Sequence, residues 1–231
     1  MLEELKMAVY EANMLLAGSG LVFGTFGNVS GIDRESGIVA IKPSGVDYSV
    51  LKAEDIVLVD LDGNVVDGSL RPSSDTPTHI ELYKAFPNVG GVCHTHSTYA
   101  TSFAQAGRHI KPYGTTHADY FGGVIPCTRR MTPDEIAGEY EKNTGLVIAE
   151  TFKFLDPDRM SAVLVNSHGP FTWGKDARAS VMNSVYLEMV ANMAMNTEIL
   201  KALGAECEPM QPELLRKHFD RKHGKNKYYG Q

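Results

Sequence analysis

Apolar residues recur at helical spacing in several stretches of the chain. The first stretch predicts a helix from five positions that would share one face, Leu2, Leu5, Val9, Ala12 and Leu16. Further helices are predicted at 77–86, 99–106, 133–154 and 176–203, with a last one in the tail of residues 212–231. Thr132 and Glu135 form a capping-box pattern before the third of these, and Gly145 is expected to interrupt it.

Short apolar runs bounded by turn residues predict strands between these helices. The runs lie at 21–26, 39–41, 56–59, 64–66, 89–93, 162–165 and 171–174. Asp62-Gly63 between the third and fourth runs is typical of a hairpin turn. Strands linked by hairpins favour an antiparallel sheet over a doubly wound parallel one. The predicted fold class is therefore α/β, with a mainly antiparallel central β-sheet.

Composition and charge exclude several classes of protein. The chain has 231 residues, 43% of them hydrophobic and 22% charged, which suits one globular domain over 1–231. A net charge of −6 gives no reason to expect nucleic acid or a membrane as partner. Three widely spaced cysteines without a CxxC pair favour a reducing compartment. The N-terminal stretch resembles neither a signal peptide nor a membrane span, so we expect a cytoplasmic protein.

Two histidines follow the apolar run at 89–93. His94 and His96 are separated by one residue, and residues at that spacing project from the same face of a strand. They would then bind one metal ion together. The alternative is two half-buried histidines at a strand end, each bonded to nearby backbone. His-x-His alone does not decide between these interpretations, because the pattern is short.

Two more residues favour the metal interpretation. His168 also follows a predicted strand, and Asp75 precedes a predicted helix, where it is either a capping residue or a carboxylate directed at a cation. Three imidazoles and a carboxylate suit Zn²⁺, with Mn²⁺, Co²⁺ or Ni²⁺ as substitutes. A structural zinc would more typically use cysteines, and the cysteines here are badly placed. A catalytic zinc site is the better hypothesis.

Three short segments are candidates for binding an anion. Lys42, Ser44 and Gly45 follow a predicted strand and form either an oxyanion cradle or a simple turn. Gly27 and Asn28 form either a turn at the end of the strand at 21–26 or a ligand contact. Ser73 and Ser74 precede the helix at 77–86 and are either loop residues or phosphate ligands.

Taken together, seven motifs make the sequence similar to the class II aldolase family over essentially its whole length. They are Gly27-Asn28-Val29-Ser30, Lys42-Pro43-Ser44-Gly45-Val46-Asp47-Tyr48, Pro72-Ser73-Ser74-Asp75-Thr76-Pro77-Thr78-His79, His94-Thr95-His96-Ser97, Gly114-Thr115-Thr116-His117-Ala118-Asp119-Tyr120, Ser167-His168-Gly169-Pro170-Phe171 and the terminal Tyr228-Tyr229-Gly230-Gln231. Each motif is weak alone, and the set is specific.

The resemblance implies a central antiparallel sheet with helices on both faces, and a homotetramer with active sites between neighbouring subunits. It places the ligands of one Zn²⁺ per subunit on Asp75, His94, His96 and His168. It places the sugar-phosphate contacts on Gly27, Asn28, Lys42, Ser44, Gly45, Ser73 and Ser74, and the acid/base pair on Asp119 and Tyr229. His218, expected near that pair, is a further substrate contact. Tyr229 is expected to come from the adjacent subunit.

The resemblance also implies a reaction. Within the family, a glutamate base stands in the aldolases where this chain has Asp75. The shorter side chain favours epimerisation at C4 of a pentulose phosphate over net aldol cleavage, with L-arabinose catabolism as the expected setting. A non-catalytic module of the adducin type is a distant alternative, because such a module is expected to lack the zinc histidines.

Overall fold

The computed structural model describes residues 2–229, so Met1 and the last two residues of the terminal motif, Gly230 and Gln231, lie outside the described residues. The helices are α1 (Leu2–Gly18), α2 (Thr76–Ala85), α3 (Thr98–Gln105), α4 (Thr115–Ala118), α5 (Pro133–Ala137), α6 (Tyr140–Thr151), α7 (Ala177–Ala202) and α8 (Pro212–His223). The strands are β1 (Asn28–Asp33), β2 (Ile38–Ile41), β3 (Val57–Val59), β4 (Val65–Asp67), β5 (Gly91–His94), β6 (Ala162–Leu164) and β7 (Pro170–Gly174).

The seven strands form one sheet in the order β4-β3-β2-β1-β5-β7-β6, and each neighbouring pair is antiparallel. The predicted antiparallel α/β fold is thus confirmed. Strand β5 lies between β1 and β7, with His94 opposite Asn28 on one side and opposite Phe171 on the other. The end of β5 therefore meets the beginnings of two neighbouring strands.

Helices cover both faces of the sheet, because alternate residues of each strand point to opposite sides. On one face, Val29 and Cys93 pack in a core with residues of α1 and the start of α7. On the other face, Val39 and Val92 pack in a larger core with residues of α2, α3 and α6. Among residues 2–229, none of the helices combines the length and the hydrophobicity that a membrane span requires.

The predicted strand at 21–26 is wrong. The segment turns at Gly24, which has φ +57°, and Gly27 just beyond it has φ +78°. Phe23 and Phe26 are 68% and 66% exposed. The strand begins at Asn28, so Asn28 belongs to β1 and not to a turn that follows a strand. The apolar run at 21–26 does not form a strand because its aromatic residues, Phe23 and Phe26, do not pack in either core.

The predicted helix at 133–154 is divided in two, and the break is not at Gly145. The capping box of Thr132 and Glu135 is present, but α5 ends at Ala137 and α6 starts at Tyr140, with a non-helical Gly138 between them. Gly145 lies inside α6 where that helix crosses α2. A Cβ there would be 2.6 Å from the Cβ of Glu81, so this glycine permits close packing.

Gly91→Ala should destabilise the fold strongly. A Cβ at Gly91 would lie 2.4 Å from the backbone nitrogen of Ala177, at the start of α7, and backbone cannot move aside cheaply. We expect the free energy of unfolding to fall by about 3 kcal/mol, a large overpacking effect. Urea denaturation measures it. Gly18→Ala is the control, because a Cβ there meets no atom within 4 Å; equal midpoints for the two variants would contradict the prediction.

Candidate metal centre and active site

Three histidines converge at one end of the central strands. His94 is the last residue of β5, and His168 lies in the turn between β6 and β7, just after Ser167 at φ +61°. His96 lies beyond the end of β5, so the expectation that both histidines stand on a strand is wrong for His96. The side chains still meet. One nitrogen from each ring falls within 4.8 Å of the others, and the Nε2 atoms of His94 and His96 are 3.1 Å apart.

The hydrogen bond of His94 orients this ring for a cation. Its Nδ1 lies 2.9 Å from the carbonyl oxygen of Pro170. A carbonyl only accepts, so Nδ1 carries the hydrogen and Nε2 presents a lone pair to the cluster. The ring of Phe171 stacks on the imidazole with centroids 4.1 Å apart and fixes its plane. Both partners of His94 come from the first two residues of β7.

Electrostatics favour the neutral form of two of the three histidines. Burial, together with His94 and His96, lowers the pKa of His168 to about 3, and burial and His94 also lower the pKa of His96. Neutral imidazole is the ligating form. Nitrogens at about 2.0–2.1 Å from a tetrahedral Zn²⁺ are separated by roughly 3.3 Å, close to the 3.1 Å between the Nε2 atoms of His94 and His96. His94 is buried, whereas His96 is exposed, so the centre is open on one side. These three residues fit a divalent metal ion.

Asp75 lies beside the histidines at the N-terminus of α2. Its Oδ2 accepts a hydrogen bond of 2.7 Å from the amide of Asn28. Burial raises the pKa of this carboxyl, but His94, His79 and the Asn28 amide outweigh burial and hold the pKa below its ordinary value. Among the described residues, Asp75 is not in the group of ligand atoms that fall within 4.8 Å of one another. Its role as fourth ligand stays a prediction.

A polar cavity of about 250 Å³ adjoins Asp75. Its lining contains every residue that the sequence analysis assigned to sugar-phosphate contact except His218: Gly27, Asn28, Lys42, Ser44, Gly45, Ser73 and Ser74. Two backbone hydrogen bonds join the segments that carry these residues. Ser44 N donates to Arg71 O at 2.9 Å, and Ser73 N donates to Lys42 O at 3.1 Å. The two loops are thereby held as one wall.

Two polar side chains of this wall, Asn28 and Lys42, are suited to bind a ligand. Asn28 donates from Nδ2 to Asp75 and to Ser73 Oγ, while its Oδ1 is buried without a hydrogen-bond partner among the described residues. A buried carbonyl oxygen of this kind is usually satisfied, and a ligand hydroxyl would satisfy it. The Lys42 amine donates to Val46 O at 2.6 Å, and burial lowers the pKa of this lysine. A lysine and three serines that line one cavity suit an anion.

Asp119, His218 and Tyr229 form a second group. The Asp119 carboxylate, at the end of α4, accepts hydrogen bonds from His218 Nδ1 at 3.1 Å and from Arg221 at 2.9 Å, both on α8. The Arg221 guanidinium lies 4.2 Å from the ring centroid of Tyr229. The structure therefore brings the three predicted residues together within one chain. It shows His218 in contact with Asp119, while the cavity that adjoins Asp75 is lined by other residues.

Three further residues surround the histidine cluster, and no sequence pattern assigned them to it. The Tyr140 hydroxyl lies 3.4 Å from His168 Nδ1, and burial raises the pKa of that hydroxyl. Phe26 stacks on His96 with parallel rings and centroids 6.1 Å apart. His79 Nδ1 lies 2.7 Å from the hydroxyl of Ser30, and burial lowers the pKa of this histidine to about 3. Only His79 stood within a recognised motif.

The profile of the class II aldolase and adducin N-terminal domain family matches residues 7–195, and the chain belongs to this family. Among curated proteins, the L-ribulose-5-phosphate 4-epimerase UlaF of Salmonella paratyphi C (strain RKS4594) is 54% identical to the chain over 230 residues, with 100% of both chains covered. The protein of the same name from Salmonella choleraesuis (strain SC-B67) matches to the same extent. The similarity to the family predicted from the motifs is confirmed.

Solved structures share the fold. An L-fuculose 1-phosphate aldolase superposes with a TM-score of 0.74 at 24% identity, covering 94% of this chain and 95% of that one. The L-fuculose-1-phosphate aldolase of Thermus thermophilus gives a TM-score of 0.67 at 23% identity, covering 87% and 98%. At these identities the comparison establishes the architecture and leaves the reaction open.

Proposed function

We propose that the chain is a zinc-dependent L-ribulose-5-phosphate 4-epimerase, which interconverts L-ribulose 5-phosphate and D-xylulose 5-phosphate. The observation that carries the proposal is the 54% identity, over the full length of both chains, with curated proteins of that name. The histidine cluster and the adjoining polar cavity supply the chemistry that such a reaction needs. We further propose that the whole chain is one domain, that it acts in the cytoplasm, and that L-arabinose catabolism supplies its substrate.

The position of the inverted carbon determines the mechanism. C4 of a 2-ketopentose is not adjacent to the carbonyl carbon, so its hydrogen is not acidic and direct deprotonation does not invert it. Cleavage of the C3–C4 bond solves the problem, because the electron pair is left next to the carbonyl as the enediolate of dihydroxyacetone. The other fragment, glycolaldehyde phosphate, presents its opposite face before the same bond re-forms. No redox cofactor is required.

The proposed role of the histidine cluster is to hold a metal ion that stabilises the negative charge created by this cleavage. Zn²⁺ held by His94, His96 and His168, with Asp75 as fourth ligand, would supply Lewis acidity toward the ketose oxygens. Asn28 holds the Asp75 carboxylate in place through its amide and offers its free Oδ1 to a substrate hydroxyl. The exposed side at His96 leaves room for the substrate to approach.

The cavity wall is the proposed phosphate site. Lys42, Ser44, Gly45, Ser73 and Ser74 line the cavity next to the start of α2, whose N-terminal end favours negative charge. A firmly held phosphate allows the aldehyde to rotate without escaping, which is a positioning effect. We assign His218 to substrate binding only through its contact with Asp119.

Asp119 and Tyr229 are the proposed acid/base pair. Inversion requires the C4 oxygen to lose a proton on one face and regain it on the other, so two groups are needed. The two residues lie in one cluster with α8, and we propose that this cluster completes the active site of a neighbouring subunit in a homotetramer. The exposed side of the histidine cluster is where such a contribution would enter.

Lys42→Met should weaken substrate binding. Loss of one hydrogen bond to a charged group costs about 1.5–3 kcal/mol, which raises KM for L-ribulose 5-phosphate about tenfold to a hundredfold. Because the phosphate does not react, kcat should change less. Steady-state kinetics separate the two constants. Lys52→Met is the matched control, since that lysine is 70% exposed and pairs with Glu54 away from the cavity; a KM unchanged in Lys42→Met would remove Lys42 from the phosphate site.

The direct test of the proposed function is to incubate the metal-replete protein with L-ribulose 5-phosphate. Formation of D-xylulose 5-phosphate, followed by a coupled assay or by NMR, is the expected result. A protein that is folded and metal-replete but converts none of the substrate would overturn the proposal.

A further inference from the structure

Arg221 is the residue that connects the two proposed acid/base groups. From α8, its Nη2 donates to both carboxylate oxygens of Asp119, at 3.0 and 2.9 Å, and its Nε donates to Oδ1 at 3.2 Å. Its guanidinium plane also contacts the ring of Tyr229, with 4.2 Å from Cζ to the ring centroid. One planar cation therefore touches both groups at once.

The ion pair between Arg221 and Asp119 is shielded enough to fix the orientation of the Asp119 carboxylate. The side chains of Arg221 and Asp119 are only 22% and 14% exposed, so water competes less than at an open surface pair. Several donors that meet one carboxylate restrict its rotation about the Cβ–Cγ bond. His218 Nδ1 donates to Oδ1 of the same carboxylate, and His223 Nε2 donates to the backbone oxygen of Asp119 at 2.9 Å. Helix α8 thus holds Asp119 from three positions.

Tyr229 is held far more weakly than Asp119. Its side chain is 50% exposed, and its backbone nitrogen donates to the carbonyl of Arg221 at 3.1 Å, as does that of Tyr228 at 2.9 Å. A cation–π contact is a weak attraction at such an exposed site. Both the backbone and the side chain of Arg221 therefore fix the end of the tail.

We propose that Arg221 is the positioning residue of the reaction, which orients Asp119 and Tyr229 as one acid/base unit. This assignment rests on the proposed function. Arg221 acts through the two residues that it holds, so its removal should slow the proton transfers without weakening the binding of the phosphate. A lysine cannot replace it fully, because an ammonium offers no plane to span a carboxylate and an aromatic ring.

The test compares Arg221→Gln and Arg221→Lys with a matched control, Arg159→Gln. Arg159 also anchors α8, through Asp220 at 3.8 Å and the ring of Phe219 at 4.5 Å, and among the described residues its side chain pairs with neither Asp119 nor Tyr229. We expect Arg221→Gln to lower kcat for L-ribulose 5-phosphate about 100-fold, as a small misplacement of catalytic groups does. KM should change little, Arg221→Lys should be intermediate, and guanidinium ion below its denaturing range should partly restore Arg221→Gln.

Three results would overturn the assignment. If Arg221→Gln and Arg159→Gln lose the same fraction of kcat, Arg221 only docks the tail. If the loss in Arg221→Gln appears in KM alone, or if it does not respond to guanidinium ion, Arg221 does not orient the acid/base pair. A wild-type protein that converts no L-ribulose 5-phosphate is a different outcome, because it overturns the proposed function together with this assignment.

Discussion

His96→Asn should release the metal ion and abolish turnover. Asparagine is a poor substitute for an imidazole ligand, and only two histidines of the cluster would remain. Loss of Lewis acidity removes several kcal/mol of charge stabilisation, so we expect the rate to fall by about a thousandfold or more. Metal content is measured by atomic emission on the purified protein, and turnover is measured with L-ribulose 5-phosphate.

The control for this variant is His109→Asn. His109 lies outside the cluster and accepts a hydrogen bond of 2.8 Å from the backbone of Cys127. This variant should keep both its metal and its activity. An active His96→Asn protein that contains no metal would contradict the assignment of the three histidines.

Asp119→Asn should retain the metal but slow epimerisation by about two to four orders of magnitude, the usual contribution of a positioned general acid or base. The amide keeps the shape of the side chain and can still accept a bond from Arg221, so the tail should stay in place. The amide cannot take up the proton of the C4 oxygen. The expected signature is a fall in kcat at unchanged metal content.

Asp220→Asn is the matched control for Asp119→Asn. Asp220 is also an acidic residue beside an arginine, at 3.8 Å from Arg159, but its side chain is 48% exposed. Among the described residues it forms no ion pair with His218 or Arg221, the partners of Asp119. Its replacement should leave kcat near that of the wild type. If Asp119→Asn has the same rate as Asp220→Asn, Asp119 has no acid/base role.

The antiparallel sheet was predictable from the sequence because its signals are local. An Asp-Gly turn between two short apolar runs specifies a hairpin, and the observed pairing of β3 with β4 follows it. The prediction of a strand at 21–26 was wrong because it depended on tertiary packing and not on a local signal. Exposure of Phe23 and Phe26 depends on what packs over them, and apolar content alone does not reveal that.

The sequence allowed the residues of the candidate site to be predicted, but not their positions relative to one another. The spacing of His94 and His96 suggested a shared ligand, and the backbone beyond β5 preserves that relation. The convergence of His168 depends on the pairing of β5 with β7, which no local pattern encodes. Contacts made by single side chains across the fold, such as that of Arg221 with Asp119, leave no periodic signal at all.

The most direct measurement is a side-by-side assay of the metal-replete protein with L-ribulose 5-phosphate and L-fuculose 1-phosphate. D-xylulose 5-phosphate and free aldehyde are followed in both reactions. We predict rapid conversion of L-ribulose 5-phosphate to D-xylulose 5-phosphate, with little free aldehyde from either substrate. Release of aldehyde from L-fuculose 1-phosphate at a higher rate, without any D-xylulose 5-phosphate from the pentulose, would contradict the proposed epimerisation and identify an aldolase.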